Sequence, residues 1–121
     1  MQIKWGSRLS KPVVVSVGTR QGGLSSPFLF NLFYQDLVDE LSSCNGGIKI
    51  NNLSFNVFCY ADDLMLASLS VTGLQNMIEV ANRYITNHGL RFNPQKTNCI
   101  IFGQCTLTPH PYWSLSGVRL A

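Results

Sequence analysis

The stretch FCYADDLMLAS, Phe58–Ser68, decides the fold, because it places two adjacent aspartates, Asp62 and Asp63, between two apolar runs. Burying a carboxylate costs free energy unless a cation or a hydrogen-bond donor compensates its charge. The apolar runs predict two β-strands, and strands joined over so few residues form an antiparallel hairpin. The sequence therefore predicts a hairpin that carries both aspartates at its tip.

Two carboxylates at one hairpin tip can converge on a single point, where they repel each other unless a cation lies between them. Mg²⁺ prefers such oxygen ligands and keeps open positions for water and phosphate. Two such ions side by side are the usual device for in-line phosphoryl transfer. A solvated turn is the alternative, since aspartate is common in turns. The Asp-Asp pair alone leaves both interpretations open.

A helix is predicted before the hairpin. The segment GTRQGGLSSPFLFN, residues 18–31, is a glycine-rich turn that leads into an apolar run with helical spacing. Ser26 is the predicted N-cap, and Pro27 suits the first helical position. We expect a helix from about Pro27 to Ser43 with one buried stripe, formed by Phe30, Phe33, Tyr34, Leu37, Val38 and Leu41.

A second helix is predicted after the hairpin. Thr72 and Gln75 have the spacing of a capping box. Gly89 supplies the left-handed residue that ends many helices, and Leu90 can pack after it. The buried stripe of this helix is formed by Leu74, Met77, Ile78, Ala81, Tyr84 and Ile85.

Short strands are predicted around these helices. In Leu53–Cys59, apolar residues alternate with Ser54 and Asn56, as in a strand with one buried face. LMLAS is apolar on both faces, as in a central strand, and we expect Phe55, Phe58 and the helical aromatics in the core. The remaining candidates are the strands QIKW, PVVVSV and CIIFG, the hairpin IKINNLSF with an Asn-Asn turn, and one strand in YWSLSGVRLA. Together they predict an α+β fold, an antiparallel sheet with two helices on one face.

The composition indicates one domain with faces that other polypeptide covers. Hydrophobic residues make up 45% of the 121 residues and charged residues only 12%, against about 25% in ordinary soluble proteins. The net charge is +3, and every charged side chain before Asp36 is basic, namely Lys4, Arg8, Lys11 and Arg20. This basic first third suits phosphate contacts, although a solvated edge has the same composition.

Other classes of protein fit the sequence less well. The four cysteines have no C-x-x-C spacing, and His88 and His110 do not complete a zinc pattern. Cys59 and Cys99 lie in apolar runs, as buried free thiols do. We expect a reducing, intracellular compartment. PVVVSV is too short for a signal-peptide core, and no run is long and apolar enough for a membrane span.

The motifs in this order resemble those of reverse transcriptases. YADD lies between apolar strands, GTRQGGLSSPFLFN precedes it, and GLRFNPQKT follows it. The resemblance is strongest to the non-LTR (LINE-type) retrotransposon branch, and it extends from about Val13 to Val118. It implies a palm-type sheet, with residues 1–121 as a partial palm domain that lacks the fingers, the strand of the first aspartate, and the thumb.

The resemblance also implies roles for individual residues. Asp62 and Asp63 match the catalytic metal ligands of the family, which bind two Mg²⁺ ions, with Mn²⁺ as a possible substitute. Tyr60 matches a residue near the primer end, and Ala61 matches the variable position of the YADD box. Lys96 matches a lysine that approaches the triphosphate and protonates the leaving pyrophosphate; the alternative is an exposed loop lysine.

Three more positions match the R-Q-G turn of the family, which lies along the template and the incoming nucleotide. These are Arg20, Gln21 and Gly22. Glycine suits a place where the backbone approaches nucleic acid closely, but a tight turn also explains it.

The family also uses a third carboxylate, on a strand before the R-Q-G turn, and no acidic residue precedes Arg20 here. The six acidic residues are Asp36, Asp39, Glu40, Asp62, Asp63 and Glu79. We therefore expect an inactive fragment of an enzyme that, intact, uses an RNA template, a DNA primer and dNTPs in the cytoplasm or nucleus. Two alternatives are a non-catalytic nucleic-acid-binding or assembly module, using the basic first third, and an inert, unstable product.

Overall fold

The computed structural model describes residues 1–15, 18, 22–103 and 111–120. Two helices, α1 and α2, alternate with short strands, and a single turn of 3₁₀-helix, Pro94–Lys96, follows α2. In chain order the elements are β1 Lys4–Trp5, β2 Arg8–Leu9, α1 Ser26–Ser42, β3 Lys49–Ile50, β4 Leu53–Ser54, β5 Val57–Tyr60, β6 Asp63–Leu66, α2 Val71–Asn87, β7 Ser114–Leu115 and β8 Val118–Arg119.

The mixed α+β composition is confirmed, but the strands do not form one sheet. Within the described ranges each strand pairs antiparallel with its neighbour in sequence, which gives four separate hairpins. The predicted strand CIIFG is wrong, since Cys99–Phe102 pair with no other strand. Of the predicted strand PVVVSV, the structure describes Pro12–Val15, which are not a strand either. The last two residues of PVVVSV, 16 and 17, lie outside the described residues. The tail forms the hairpin β7–β8 where one strand was predicted.

Both helices begin at a different cap from the predicted one. The N-cap of α1 is Ser25, so Ser26 is already helical. The N-cap of α2 is Ser70, whose hydroxyl accepts a hydrogen bond from the Gly73 backbone N–H at 3.1 Å. The predicted Thr72–Gln75 capping box is therefore wrong. Gln75 instead donates to the Glu79 carboxylate and to the Ser114 carbonyl oxygen.

The predicted end of α2 and the Asn-Asn turn are both confirmed. Gly89 has a φ of +74°. The Leu90 backbone N–H donates to the Ile85 carbonyl oxygen at 3.0 Å, as in helices closed by a left-handed glycine. In the β3–β4 hairpin, Asn51 and Asn52 both have positive φ, 49° and 67°, as a tight two-residue hairpin turn requires.

The main core lies between the two helices and the β5–β6 hairpin. The buried stripe of α1 packs against that of α2, and the side chains of Val57, Leu64 and Leu66 pack against this cluster from the hairpin. The helical periodicity is thereby confirmed. The buried members are Tyr34, Leu37 and Leu41 from α1, and Met77, Val80, Ala81 and Ile85 from α2.

A second cluster attaches the C-terminal hairpin to the other side of α2. Ile78 packs there with Trp113, Leu115 and Leu120. The Trp113 indole N–H donates to the Val71 carbonyl oxygen at 3.0 Å. Neither helix of the described residues has the length and apolar character needed to cross a bilayer.

The faces of the β5–β6 hairpin differ from the prediction in three respects. Phe58 and Met65 are 44% and 58% exposed, so Phe58 is not a core residue and β6 is not a central strand. Cys59 is exposed, not buried as its apolar neighbours suggested. Asn56, predicted on the polar face, is 1% exposed. An apolar run in the sequence indicates that a strand is buried on at least one face, but it does not show whether one face or both faces are buried.

Asn56 is buried because it joins the end of α1 to the beginning of β5. Its side-chain amide donates to the carbonyl oxygens of Leu41, Ser42 and Cys44, each at 3.3 Å. These carbonyls lie where an α-helix runs out of its own N–H donors. Among the described residues, the Asn56 Oδ1 atom has no hydrogen-bond partner; it lies against Gly47, where an added Cβ would be 1.8 Å away.

We expect Asn56→Ala to lower the free energy of unfolding by about 2–3 kcal/mol, because it leaves buried carbonyl oxygens without donors. Urea unfolding followed by circular dichroism measures the change. Asn76→Ala is the matched control, because Asn76 is exposed on α2, and it should change stability by less than about 0.5 kcal/mol.

The close approach between Gly47 and the Asn56 side chain can be tested with a double substitution. Gly47→Ala should destabilise the wild type strongly, and its cost should fall when Asn56 is already alanine, because the colliding atom is gone. Additive effects of the two substitutions would contradict the contact.

Candidate catalytic hairpin

The β5–β6 hairpin holds both aspartates at its tip, as predicted. Tyr60 pairs with Asp63, and Ala61 and Asp62 form the two-residue turn between them. Asp62 therefore belongs to the turn, whereas Asp63 is the first residue of β6. Both carboxylates are on exposed residues, so water, a metal ion or a phosphate can approach them.

The turn is tight enough to require a left-handed residue. Two-residue hairpin turns need positive φ to match the twist of their strands. Here Ala61 adopts a φ of 50°, a region that costs an alanine about 1–2 kcal/mol. The strand pairing on both sides holds Ala61 in this conformation.

The strand residues beside the turn divide between two faces. Side chains alternate along a strand, and cross-strand partners share a face. Asp63 and its partner Tyr60 therefore lie on the outer face, away from the helices, with Phe58 and Met65. Tyr60 is 84% exposed, which leaves its ring free for a ligand. The inner face carries Val57, Cys59, Leu64 and Leu66.

Tyr34 of α1 lies beneath the hairpin, a position that the sequence suggested only as core. Burial raises the pKa of its phenol, and the nearby Cys59 and Asp62 raise it further. The ring of Tyr34 packs against the ring of Phe30, with 4.6 Å between their centroids. The sequence did hold a signal for this position, because Tyr34 has a hydroxyl where the other aromatic residues of the α1 stripe are phenylalanines.

The other carboxylates lie on the helices and mostly bond to neighbours there. Glu40 forms an ion pair with Arg83. Asp39 accepts a hydrogen bond from Gln35 at 3.0 Å, and Glu79 accepts one from Gln75 at 3.0 Å. Over the described ranges, no three His, Cys, Asp or Glu side chains lie close enough together to hold a metal ion.

The chemistry of the tip nevertheless fits a divalent cation in part. Asp62 and Asp63 provide two adjacent carboxylates, the hard oxygen ligands that Mg²⁺ and Mn²⁺ prefer. Mg²⁺ is six-coordinate and keeps several waters, so two protein ligands suffice for weak binding. The described residues bring no third carboxylate to the tip.

The remaining predicted site residues are dispersed. Lys96 is exposed in the 3₁₀ turn, where the Asn93 side chain accepts a hydrogen bond from the Gln95 backbone N–H. No ion pair joins Lys96 to the aspartates in the described part of the chain. Gly22 is exposed with a φ of +77°, so a left-handed turn explains the glycine. Arg20 and Gln21 lie outside the described residues.

Comparison with known proteins gives the class to which this hairpin belongs. Residues 2–114 match the family model described as reverse transcriptase (RNA-dependent DNA polymerase). Because the match covers most of the chain, the chain belongs to the reverse transcriptase family.

The curated relatives narrow the class to the non-LTR type, as the motifs predicted. A Pol polyprotein from the type-2 retrotransposable element R2DM of Drosophila melanogaster is 34% identical over 87 residues, which cover 72% of this chain and 8% of that protein. A Pol polyprotein from the type-1 element R2 of Popillia japonica is 27% identical over 122 residues, covering 93% of this chain and 19% of the relative. The chain thus spans less than a fifth of the length of these relatives.

We expect Ala61→Gly to raise the free energy of unfolding by about 0.5–1 kcal/mol. Glycine removes the strain of the left-handed conformation, about 1–2 kcal/mol, and loses part of this gain to the greater freedom of the unfolded chain. Ala67→Gly is the matched control, because Ala67 follows β6 and is not in the left-handed region. It should destabilise by about 0.5–1 kcal/mol. Destabilisation by both substitutions would contradict the strained turn.

The raised pKa of Tyr34 predicts a loss of stability at alkaline pH. A phenol whose pKa is higher in the folded state stabilises the fold fully below its unfolded value of 10.0, and this contribution disappears as pH rises through the folded pKa. Between about pH 9 and about pH 11, wild-type stability should therefore fall more steeply than that of Tyr34→Phe. Parallel urea-denaturation curves for the two proteins would contradict this.

Proposed function

We propose that this chain is part of the palm of a non-LTR reverse transcriptase, in which the β5–β6 hairpin carries two ligands of the catalytic metal ions. The observation that supports this proposal is the position of Asp62 and Asp63, adjacent and exposed at the tip of a tight hairpin. The family provides the reaction, which is RNA-templated DNA synthesis. The template, primer and dNTPs are accordingly the proposed partners of the longer polypeptide, acting in the cytoplasm or nucleus.

The proposed reaction is nucleotidyl transfer. The primer 3′-hydroxyl loses its proton to water and attacks the α-phosphate of the nucleotide. A new P–O bond forms, the bond between the α-phosphorus and the α–β bridging oxygen breaks, and pyrophosphate leaves. Asp62 and Asp63 would hold Mg²⁺, with Mn²⁺ as a substitute. When bound, the two ions of such a site stabilise the charge on the attacking and leaving oxygens.

The other residues have proposed positioning roles. The strained turn at Ala61 keeps the two carboxylates in a fixed direction before any ion binds, so ordering them costs little at the moment of binding. Tyr60 presents an uncovered ring beside Asp63, where it can contact the primer end. Arg20, Gln21 and Gly22 are proposed to lie along the template and the incoming nucleotide, and Lys96 to donate a proton to the leaving pyrophosphate.

The third carboxylate is proposed to come from another segment of the longer polypeptide. Asp39, Glu40 and Glu79 already bond to neighbouring side chains of the helices. With two ligands only, the 121 residues would bind a hydrated cation weakly and would not hold two ions in the geometry that transfer needs. We therefore propose that this chain alone does not polymerise DNA.

Metal binding by the chain itself tests the ligand assignment. We expect Mn²⁺ titration, followed by electron paramagnetic resonance, to show weak binding that disappears in Asp62→Asn/Asp63→Asn. Asp36→Asn/Glu79→Gln removes the same charge from the helices and should leave binding unchanged. Equal binding by wild type and the hairpin variant would contradict the assignment.

Primer extension on an RNA template tests the proposed reaction. The 121-residue chain should give no product, whereas the longer polypeptide should extend the primer with Mg²⁺. In that polypeptide, Asp62→Asn or Asp63→Asn should lower the rate at least about 100-fold, because a ligand of the charge-stabilising ion is lost. Product from the chain alone would contradict the missing carboxylate, and full activity of both variants would contradict the site.

A further inference from the structure

The N-terminal segment forms a ribbon that extends beyond the labelled strands. The ladder of β1 and β2 continues through the Ser10 N–H, which donates to the Ile3 carbonyl oxygen at 2.9 Å. The Ile3 N–H donates to the Ser10 hydroxyl at 2.9 Å, and the Val13 N–H to the Met1 carbonyl oxygen at 2.8 Å. We call residues 1–13 the N-terminal ribbon.

This ribbon is not packed on the body of the protein. Every residue from Met1 to Val15 is exposed. Trp5 is 84% exposed, whereas the other tryptophan, Trp113, is 6% exposed. An indole ring is one of the largest apolar surfaces that a side chain offers. An exposed Trp5 on a hydrogen-bonded ribbon is therefore a surface that a flat ligand can cover.

The charge of the ribbon is entirely positive. It contains Lys4, Arg8 and Lys11, and the first acidic residue in the chain is Asp36. The one ion pair among the described residues is Arg83–Glu40, so these three cations are not neutralised by a carboxylate. A surface of this kind attracts a polyanion.

The pairing register places a cation beside the indole. Trp5 is the cross-strand partner of Arg8, so the two side chains lie on the same face of the ribbon. Lys4 lies on the opposite face with its partner Leu9. An aromatic ring and a guanidinium side by side can contact a base and its phosphate together.

We propose that the N-terminal ribbon binds single-stranded nucleic acid, with a base stacked on Trp5 and phosphates bound by Arg8 and Lys11. Stacking requires a base face that a duplex does not expose, and stacking with backbone cations is the usual means of binding single strands. The ribbon includes none of the residues assigned to the metal site, so this inference goes beyond the proposed reaction. RNA and DNA share this chemistry.

Binding is measured by the fluorescence anisotropy of labelled 12-nucleotide single strands, RNA and DNA, and of the matching duplex, without divalent metal. Trp5→Ala should weaken single-strand binding about 5- to 150-fold, the range found for one stacked base. Leu9→Ala is the matched control, an exposed apolar residue of the same ribbon, and should change the affinity less than about twofold. Because Trp5 is 84% exposed, its loss should leave the thermal unfolding curve unchanged.

The salt dependence tests the cations separately. Replacing Arg8 and Lys11 by glutamine should reduce the slope of log affinity against log salt by about 1.4, because two phosphate contacts on a single strand contribute about 0.7 each. Lys49→Gln, at an exposed lysine of β3, is the control and should leave the slope unchanged.

Three results would overturn the proposal. Equal losses of single-strand affinity for Trp5→Ala and Leu9→Ala would show that no base stacks specifically on Trp5. Equal affinity for duplex and single strand would exclude stacking, and absence of binding at low salt would exclude the site. Asp62→Asn/Asp63→Asn should bind nucleic acid as the wild type does. If that variant loses nucleic-acid binding, the ribbon is not the site, and a failure of Mn²⁺ binding alone would leave the ribbon unaffected.

Discussion

The packing of the inner face of the β5–β6 hairpin against α1 and α2 is the interaction on which the rest of the described structure depends. A two-stranded hairpin is at best marginally stable by itself in water. Here Val57, Leu64 and Leu66 gain a core from the helices, and Asn56 bonds the strand to the end of α1. The tip can be rigid because the base of the hairpin is held to the helices by both apolar packing and the Asn56 hydrogen bonds.

This attachment explains how the hairpin tolerates a strained, charged tip. Two neighbouring carboxylates repel each other, and Ala61 occupies a conformation that alanine ordinarily avoids. Neither cost is offset at the tip itself in the described residues. Both are offset by pairing and burial below it, which is the usual arrangement where backbone strain occurs at a functional site. Tyr34 connects the core with the tip, since its ring is buried in the core and the charge of Asp62 raises the pKa of its phenol.

The features that the sequence predicted correctly are those set by local spacing. The helical stripes, Gly89, the Asn-Asn turn and the position of Asp62 and Asp63 each follow from a few neighbouring residues. The errors concern tertiary partners. Asn56 alternates like a surface residue, and its burial depends on three carbonyls that are free only because α1 ends beside it. CIIFG has strand propensity, but a strand also needs ladder hydrogen bonds to a partner, and Cys99–Phe102 form no ladder in the described ranges.

Tertiary partners are also what the sequence does not predict at the candidate site, and the exposed surfaces show why. The outer face of the hairpin and one side of α1, which includes Phe28 and Leu32, are apolar and exposed, and so is Leu24 just before α1. A folded chain of ordinary composition would cover such faces or make them polar. The low fraction of charged residues, 12%, agrees with these exposed apolar faces. Ligands and covering surfaces that come from other polypeptide leave no pattern in this sequence except the faces that they would contact. The N-terminal ribbon differs from these faces, because its cations keep it compatible with water while its indole remains available.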